Sequence, residues 1–75
     1  MRRYVDVDGD SWISAYQVRP DSIVVQYRDG ATYVYSYRSA GIAAIETMKR
    51  LANSGEHLHS FINRFARNAY AEKLW

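Results

Sequence analysis

The chain has 75 residues, of which 48% are hydrophobic and 15% aromatic, with a net charge of +2 at pH 7 and no cysteine. Such a chain fits one small domain with its own core, and the apolar content argues against disorder. The absence of cysteine excludes disulfide bonds and thiolate zinc sites. The apolar runs are far too short to span a membrane, so we expect no membrane partner.

The N-terminal stretch MRRYVDVDGD has no apolar region of the kind a signal peptide needs. We therefore expect a bacterial-type cytoplasmic protein, forming a single domain over residues 1–75, in which residues 1–10 are a flexible arm. The run from Asp6 to Asp10 superficially resembles a calcium loop. Its glycine stands at the fourth place instead of the sixth, and Gln17 stands where the twelfth position needs glutamate. An acidic turn is the better interpretation.

Three segments carry the β-branched and aromatic residues typical of strands, at residues 11–18, 22–28 and 31–37. A turn at Arg19-Pro20-Asp21 separates the first two strands. Asp29-Gly30 separates the second from the third and is a strong hairpin signal. The sequence thus predicts an antiparallel three-stranded meander.

The length of the hairpin loop decides which face of the sheet the tyrosines occupy. A two-residue loop, Asp29-Gly30, would give two mixed faces. A three-residue loop, residues 28–30, with Gly30 in the left-handed conformation, would pair Val25 with Tyr33 and Ile23 with Tyr35. Only this register separates apolar from polar residues well, so we prefer it. It predicts that Tyr33 and Tyr35 face the core.

Helical periodicity replaces the strand pattern after Arg38. Ser39 is a candidate N-cap, and apolar residues recur at three- and four-residue spacings until Asn53-Ser54-Gly55, where Gly55 predicts the helix end. A second helix is expected over residues 56–71, with Phe65 in its apolar stripe. The predicted fold class is α+β, in the order β-β-β-α-α, with both helices on one face of the sheet.

The ordered series Ile23, Val25, Tyr27, Gly30 and Tyr33-Val34-Tyr35, followed by a helix, Ala52-Asn53-Ser54-Gly55 and Ile62, resembles the KTSC domain. This short bacterial domain occurs alone in small proteins and at the C-terminus of some lysyl-tRNA synthetases. The resemblance spans roughly Trp12 to Phe65. Leu58-His59 and Ile62-Asn63 stand where members often carry Phe-Asn and Ile-Arg. The synthetase association implies RNA binding, although the family's function is not established.

Non-catalytic binding of RNA is our first hypothesis, because RNA binding combines aromatic stacking with basic side chains along the phosphates. Residues 49–75 hold five basic residues against two acidic ones. The candidate contacts to RNA are Arg28, Arg38, Arg64, Arg67 and Lys73. The alternative interpretation is purely structural: these basic side chains are solvated, and the tyrosines only pack in the core.

The alternative hypothesis is a protein-interaction module or a small homodimer, in which Leu74 and Trp75 contact a protein partner or a second copy. They could equally cover the domain's own helices. Catalysis has little support, since no cysteine nucleophile or glycine-rich phosphate loop is present. His57 and His59 are two residues apart and cannot share a metal on a helix. We predict no enzyme activity, metal or cofactor.

Overall fold

The computed structural model describes residues 1–5 and 12–75. Its elements are β1 (Arg2–Arg3), β2 (Ile13–Arg19), β3 (Ser22–Tyr27), β4 (Thr32–Ser36), α1 (Tyr37–Ala40), α2 (Ile42–Ser54), α3 (Leu58–Phe61), a π-helical segment (Ile62–Ala66) and β5 (Glu72–Lys73). The strands form one antiparallel sheet in the order β1-β2-β3-β4-β5. The α+β class and the helices after the meander are confirmed.

The predicted number of strands was wrong, because the described residues form a sheet of five strands instead of three. The two additional strands, β1 and β5, contain two residues each and form the two edges. Two residues are too few to show an alternating pattern, so pairing with β2 and β4 decides their conformation. Within the segment predicted as an arm, Arg2 and Arg3 pair with Tyr16 and Ala15. The predicted acidic turn lies outside the described residues.

The hairpin between β3 and β4 has the three-residue register. Val25 pairs with Tyr33 and Ile23 with Tyr35. The amide of Gly30 donates to the carbonyl of Tyr27 at 3.0 Å, and Gly30 has φ +94°. That backbone conformation is strained for a residue with a Cβ, which explains the glycine. The register prediction is confirmed.

The helical region begins earlier than predicted, because Ser36 is the N-cap and Ser39 is its capping-box partner. The Ser36 side chain accepts from the amide of Ser39 at 3.1 Å, and the Ser39 hydroxyl accepts from the amide of Ser36 at 3.0 Å. This box starts the four-residue helix α1. Gly41 then separates α1 from α2, and Gly55 ends α2 in the left-handed conformation, as predicted.

The second predicted helix is shorter than residues 56–71, and it changes phase. It begins at Leu58, after His57 in a left-handed conformation, and becomes π-helical from Ile62 to Ala66. Leu58, Ile62 and Ala66 are buried, whereas Phe65 is 68% exposed. A π-helical turn contains more residues than an α-helical one, so it rotates the following side chains relative to an ideal stripe. The placement of Phe65 in the apolar stripe was therefore wrong.

One hydrophobic core lies between the sheet and the helices. Strand residues such as Tyr16, Val25 and Tyr35 pack there against Ile45 and Met48 of α2, together with the buried residues of the last helix. Tyr4, next to β1, belongs to the same core and packs edge-on against Tyr16, with ring centroids 6.3 Å apart. Val24, Thr32 and Val34 on the opposite face are also buried. That face is less exposed than the sequence indicated.

Candidate functional site

A cleft of about 360 Å³ opens between the β3–β4 hairpin and the last helix. Aromatic and polar residues line its walls in equal number, and we call it the aromatic cleft after its rings. Its rings are those of Trp12, Tyr27, Tyr33, Tyr35 and Tyr70, and its polar lining residues are Asp29, His59, Asn63, Arg67 and Asn68. The hairpin register directs Tyr27, Tyr33 and Tyr35 to this side of the sheet. The last helix (residues 58–66) supplies the opposing amide of Asn63, and the turn after it supplies Arg67 and Asn68.

The tyrosine rings form a continuous cluster along the floor of the cleft. Tyr33 is at its centre: its ring centroid lies 4.8 Å from that of Tyr70 and 5.8 Å from that of Tyr27. Tyr35 is 6.4 Å from Tyr70, with the two rings nearly perpendicular. Such edge-to-face contacts are favourable and hold the rings in place. The floor is therefore a contiguous aromatic surface.

The tyrosines differ in burial. Tyr35 is 2% exposed and belongs to the core, whereas Tyr33 and Tyr27 are half-buried and Tyr70 is 40% exposed. Burial raises the pKa of the Tyr35 phenol, and a hydrogen bond with Tyr27 raises that pKa further. Burial also raises the pKa of the Tyr27 phenol. Both phenols stay neutral at physiological pH, so they offer hydrogen-bonding groups without charge.

Trp12 stands at the mouth of the cleft with 59% of its surface exposed. Its carbonyl accepts a hydrogen bond from the amide of Arg28 at 2.7 Å, which ties the start of β2 to the hairpin loop. An exposed indole beside a preformed cleft can stack on a planar ligand. Trp12 was not a predicted site residue, because the sequence alone does not distinguish a stacking tryptophan at a strand start from a packing one.

The last helix and the turn that follows it contribute the polar wall. Asn63 Nδ2 donates to His59 Nε2 across 3.3 Å, which leaves the amide oxygen of Asn63 free of that contact. The His59 ring also packs edge-on against Tyr27, with centroids 5.8 Å apart. Asn68 and Arg67 are exposed and follow the π-helical segment. Amide groups beside aromatic rings are suited to hydrogen bonding along the edge of a planar heterocycle.

The five predicted basic residues lie on different elements of the fold, and only Arg67 lines the aromatic cleft. Arg67 lines the aromatic cleft, and Lys73 Nζ lies 5.7 Å from the centre of the Tyr33 ring. Arg28 is in the hairpin loop, next to Asp29 at the cleft wall. Arg38 is on α1, which follows the far end of β4, and Arg64 lies over the exposed ring of Phe65 at 5.8 Å. Arg67, Lys73 and Arg28 are thus the basic residues beside the cleft.

Leu74 and Trp75, the predicted interface residues, are 41% and 79% exposed. They follow β5 at the edge of the sheet, and their position does not cover the helical core. Trp75 and Lys73 line a shallow groove with Gln26, Gly30 and Asp29. Trp75 is not among the residues packed against the core, so it does not cover the helices of its own domain.

The carboxylate in the cleft is already engaged. Asp29 Oδ1 accepts a hydrogen bond from the amide of Ala31 at 3.0 Å, which supports the hairpin turn.

Among residues 1–5 and 12–75, no group of three or more histidine, aspartate and glutamate side chains is placed to hold a metal ion. Over the same residues, no helix combines the length and apolar character needed to cross a bilayer.

Comparisons with known proteins found no matching family model, no curated relative and no similar solved structure.

Proposed function

We propose that this chain is a small non-catalytic module that binds single-stranded RNA, with bases stacked in the aromatic cleft. The observation that supports this most strongly is the composition of the cleft. Exposed rings of Trp12 and Tyr70 stand beside the amides of Asn63 and Asn68 and the guanidinium of Arg67. Proteins bind unpaired nucleotides through three such features: aromatic rings that stack on the bases, amides that hydrogen-bond to base edges, and cations that contact the phosphates.

The size of the cleft suits this role. Its volume of about 360 Å³ is at the small end of ligand pockets, which run from roughly 300 to 1,000 Å³. A pocket of that size accommodates one or two planar bases, and the rest of a strand would follow the surface. Residues on the rim of the cleft would therefore contribute to RNA binding as much as those in its interior.

Positive charge beside the cleft is placed for the phosphates of such a strand. Arg67 is at the polar wall, Lys73 lies near Tyr33, and Arg28 is in the adjoining loop. Within the part of the chain that the structure describes, none of these three forms an ion pair with a carboxylate. Their charges are available to a polyanion, which would make binding sensitive to salt.

The resemblance to the KTSC domain points to the same ligand class, through its association with lysyl-tRNA synthetases. The proposal differs from the hypothesis of one basic surface, because it gives stacking to the cleft and assigns no contact to Arg38 or Arg64. Both of these arginines remain on the surface away from the cleft lining.

The experiment is a fluorescence titration with short single-stranded RNA of mixed sequence. The chain has two tryptophans, so Trp75→Phe leaves Trp12 at the cleft mouth as the single indole reporter. In this background, Arg67→Gln is compared with Arg50→Gln, which removes the same charge from an exposed position on α2. We expect Trp12 quenching on binding, and an affinity about tenfold weaker in Arg67→Gln, or roughly 1.4 kcal/mol.

The salt dependence separates a specific phosphate contact from general attraction. Loss of one phosphate contact lowers the slope of log affinity against log salt by about 0.7 for a single strand. Arg67→Gln should show this decrease, and Arg50→Gln should keep both slope and affinity. Equal weakening in the two variants, or RNA that leaves Trp12 fluorescence unchanged at all salt concentrations, would contradict the proposal.

A further inference from the structure

Residues 70–75, which we call the tail, cover the outer edge of β4. The amide of Ala71 donates to the carbonyl of Val34 at 2.6 Å, and the amide of Leu74 donates to the carbonyl of Thr32 at 2.7 Å. The Tyr70 ring packs on Tyr33, at a centroid separation of 4.8 Å. The tail thus supplies both the last strand of the sheet and one wall of the aromatic cleft.

The contacts of the tail are backbone hydrogen bonds to β4 and ring contacts at its surface. Every residue from 70 to 75 is exposed, and only Glu72 and Lys73 are in strand pairing with β4. The connection before it is also exposed at Arg67 and Asn68. A terminal segment with solvent-exposed backbone bonds and no buried side chain opens at a small fraction of the global unfolding free energy.

Opening of the tail would uncover the edge of β4, which runs from Thr32 to Ser36 and is fully paired with β3 on its other side. An uncovered edge strand recruits another extended segment. It would also uncover the ring of Tyr33. The tail is the segment that fits this edge best. Its Tyr70 ring packs on Tyr33, and two of its backbone amides bond to the carbonyls of Val34 and Thr32.

We propose that the edge of β4 accepts the tail of a second copy of the chain, so that two copies exchange residues 70–75. Each tail would make in trans the same hydrogen bonds and ring contact that it makes in cis. Only the connection at residues 67–69 would change path, which affects the exposed Arg67 and Asn68 and the half-buried Ala69. Exchange of a short element in this way costs little free energy. Mass action then favours the dimer when the chain concentration approaches the effective concentration of the cis tail.

The exchange has a direct effect on the aromatic cleft, because Tyr70 is one of its walls. In the exchanged dimer, the Tyr70 that completes each cleft comes from the second copy. Leu74 and Trp75 travel with the tail and lie against the second copy's hairpin edge. The proposal does not depend on RNA binding, and its test uses no ligand.

The chain has no cysteine, so every disulfide bond in the test comes from the introduced cysteines. Val34 and Glu72 are Cα partners across β4 and β5, and the test is the double variant Val34→Cys/Glu72→Cys. It is refolded and oxidised at about 1 mM, which is of the order of the effective concentration of a short tether, and at about 10 µM. Denaturing gel electrophoresis without reducing agent then separates chains with an internal disulfide bond from covalent dimers.

We expect covalent dimer from the concentrated sample and covalent monomer from the dilute one. Glu72→Cys alone is the matched control, because it reports random cross-linking between exposed tails. A double variant that gives no more dimer than this control overturns the exchange. Should the double variant fail to fold, light scattering of the unmodified chain decides: a mass that stays monomeric up to about 1 mM overturns the proposal, and a dimer at that tether-like concentration supports it.

Discussion

Tyr33 and Tyr35 are two residues apart on the same face of β4, yet they have different surroundings. Tyr35 is 2% exposed and hydrogen-bonded to Tyr27, so it belongs to the core. Tyr33 is half-buried, with Tyr70 and Lys73 over its ring. The face was predictable from the hairpin register, because strand residues alternate between faces. The burial of each tyrosine was not, because it depends on where the last helix ends.

Truncation of Tyr35 is expected to destabilise the fold strongly. Tyr35→Ala removes a buried ring and leaves a cavity, a change that costs about 3–5 kcal/mol for aromatic side chains. Thermal or denaturant unfolding followed by circular dichroism measures this loss. Tyr70→Ala is the matched control, because Tyr70 is 40% exposed and should lose much less stability. Equal losses would mean that the core does not depend on Tyr35.

At the level of elements, the junction between α1 and α2 depends on Gly41. Its backbone has φ 91° and ψ 150°, and a Cβ built there would have no other atom within 4 Å. Any cost of a substitution is therefore backbone strain and not a clash. This region is accessible to glycine and almost closed to other residues. The sequence predicted one continuous helix across this position, because a single glycine in a helical pattern is only a weak signal of a helix end.

Gly41→Ala should lower the free energy of unfolding by about 1–3 kcal/mol, the usual cost of such backbone strain. Gly41→Asn should not rescue the loss, since asparagine tolerates the left-handed helical region but ψ here is 150°. Chemical denaturation of the three chains measures the effect. An asparagine variant as stable as the original chain would show that α1 and α2 can join through another backbone conformation.

The elements that the sequence predicted poorly are those decided by tertiary contacts. Glu72 and Lys73 have no strand signal of their own and become β5 only because β4 offers an edge. Phe65 fits an ideal helical stripe, but the π-helical turn from Ile62 to Ala66 moves it to the surface. The same segment precedes Arg67 in the cleft. The cleft itself combines residues from Trp12 to Tyr70, and no local pattern in the sequence joins positions so far apart.

In the whole molecule, one polar cluster ties the helices to the far end of the sheet. Tyr37 donates to Glu46 Oε2 at 2.6 Å, and Lys49 Nζ lies 2.9 Å from the same oxygen. Lys49 also donates to the carbonyl of Pro20 at 2.9 Å, in the turn between β2 and β3. The cluster therefore connects α1, α2 and the β2–β3 turn.

This cluster should make stability depend on pH in the acidic range. The hydrogen bonds from Tyr37 and Lys49 lower the pKa of Glu46 below its ordinary value of 4.5. The unfolded chain then binds more protons than the folded one in this range. The stabilisation is complete above the ordinary pKa and is lost as the pH falls through the lower pKa of the folded state. Melting temperatures measured from about pH 6 down to about pH 3 span this loss.

Glu46→Gln should flatten that profile, because the titrating group is gone. Glu56→Gln is the matched control, since Glu56 is an exposed carboxylate that precedes α3. We expect the control to keep the acid slope of the original chain. Identical slopes in all three chains would show that Glu46 makes no difference to acid stability.

The order of the sheet follows the order of the chain, with β1 at one edge and β5 at the other. A chain pulled at its two ends would therefore load both outer strands across the sheet, in the direction that opens hydrogen bonds one after another. Each outer strand has only two residues in register with its neighbour. Both outer strands would detach at low force, and the load would then pass to the buried Tyr4 on one side and to the buried residues of the last helix on the other. If the molecule connects other domains under tension, it would yield early and lengthen, acting as an extensible joint and not as a rigid spacer.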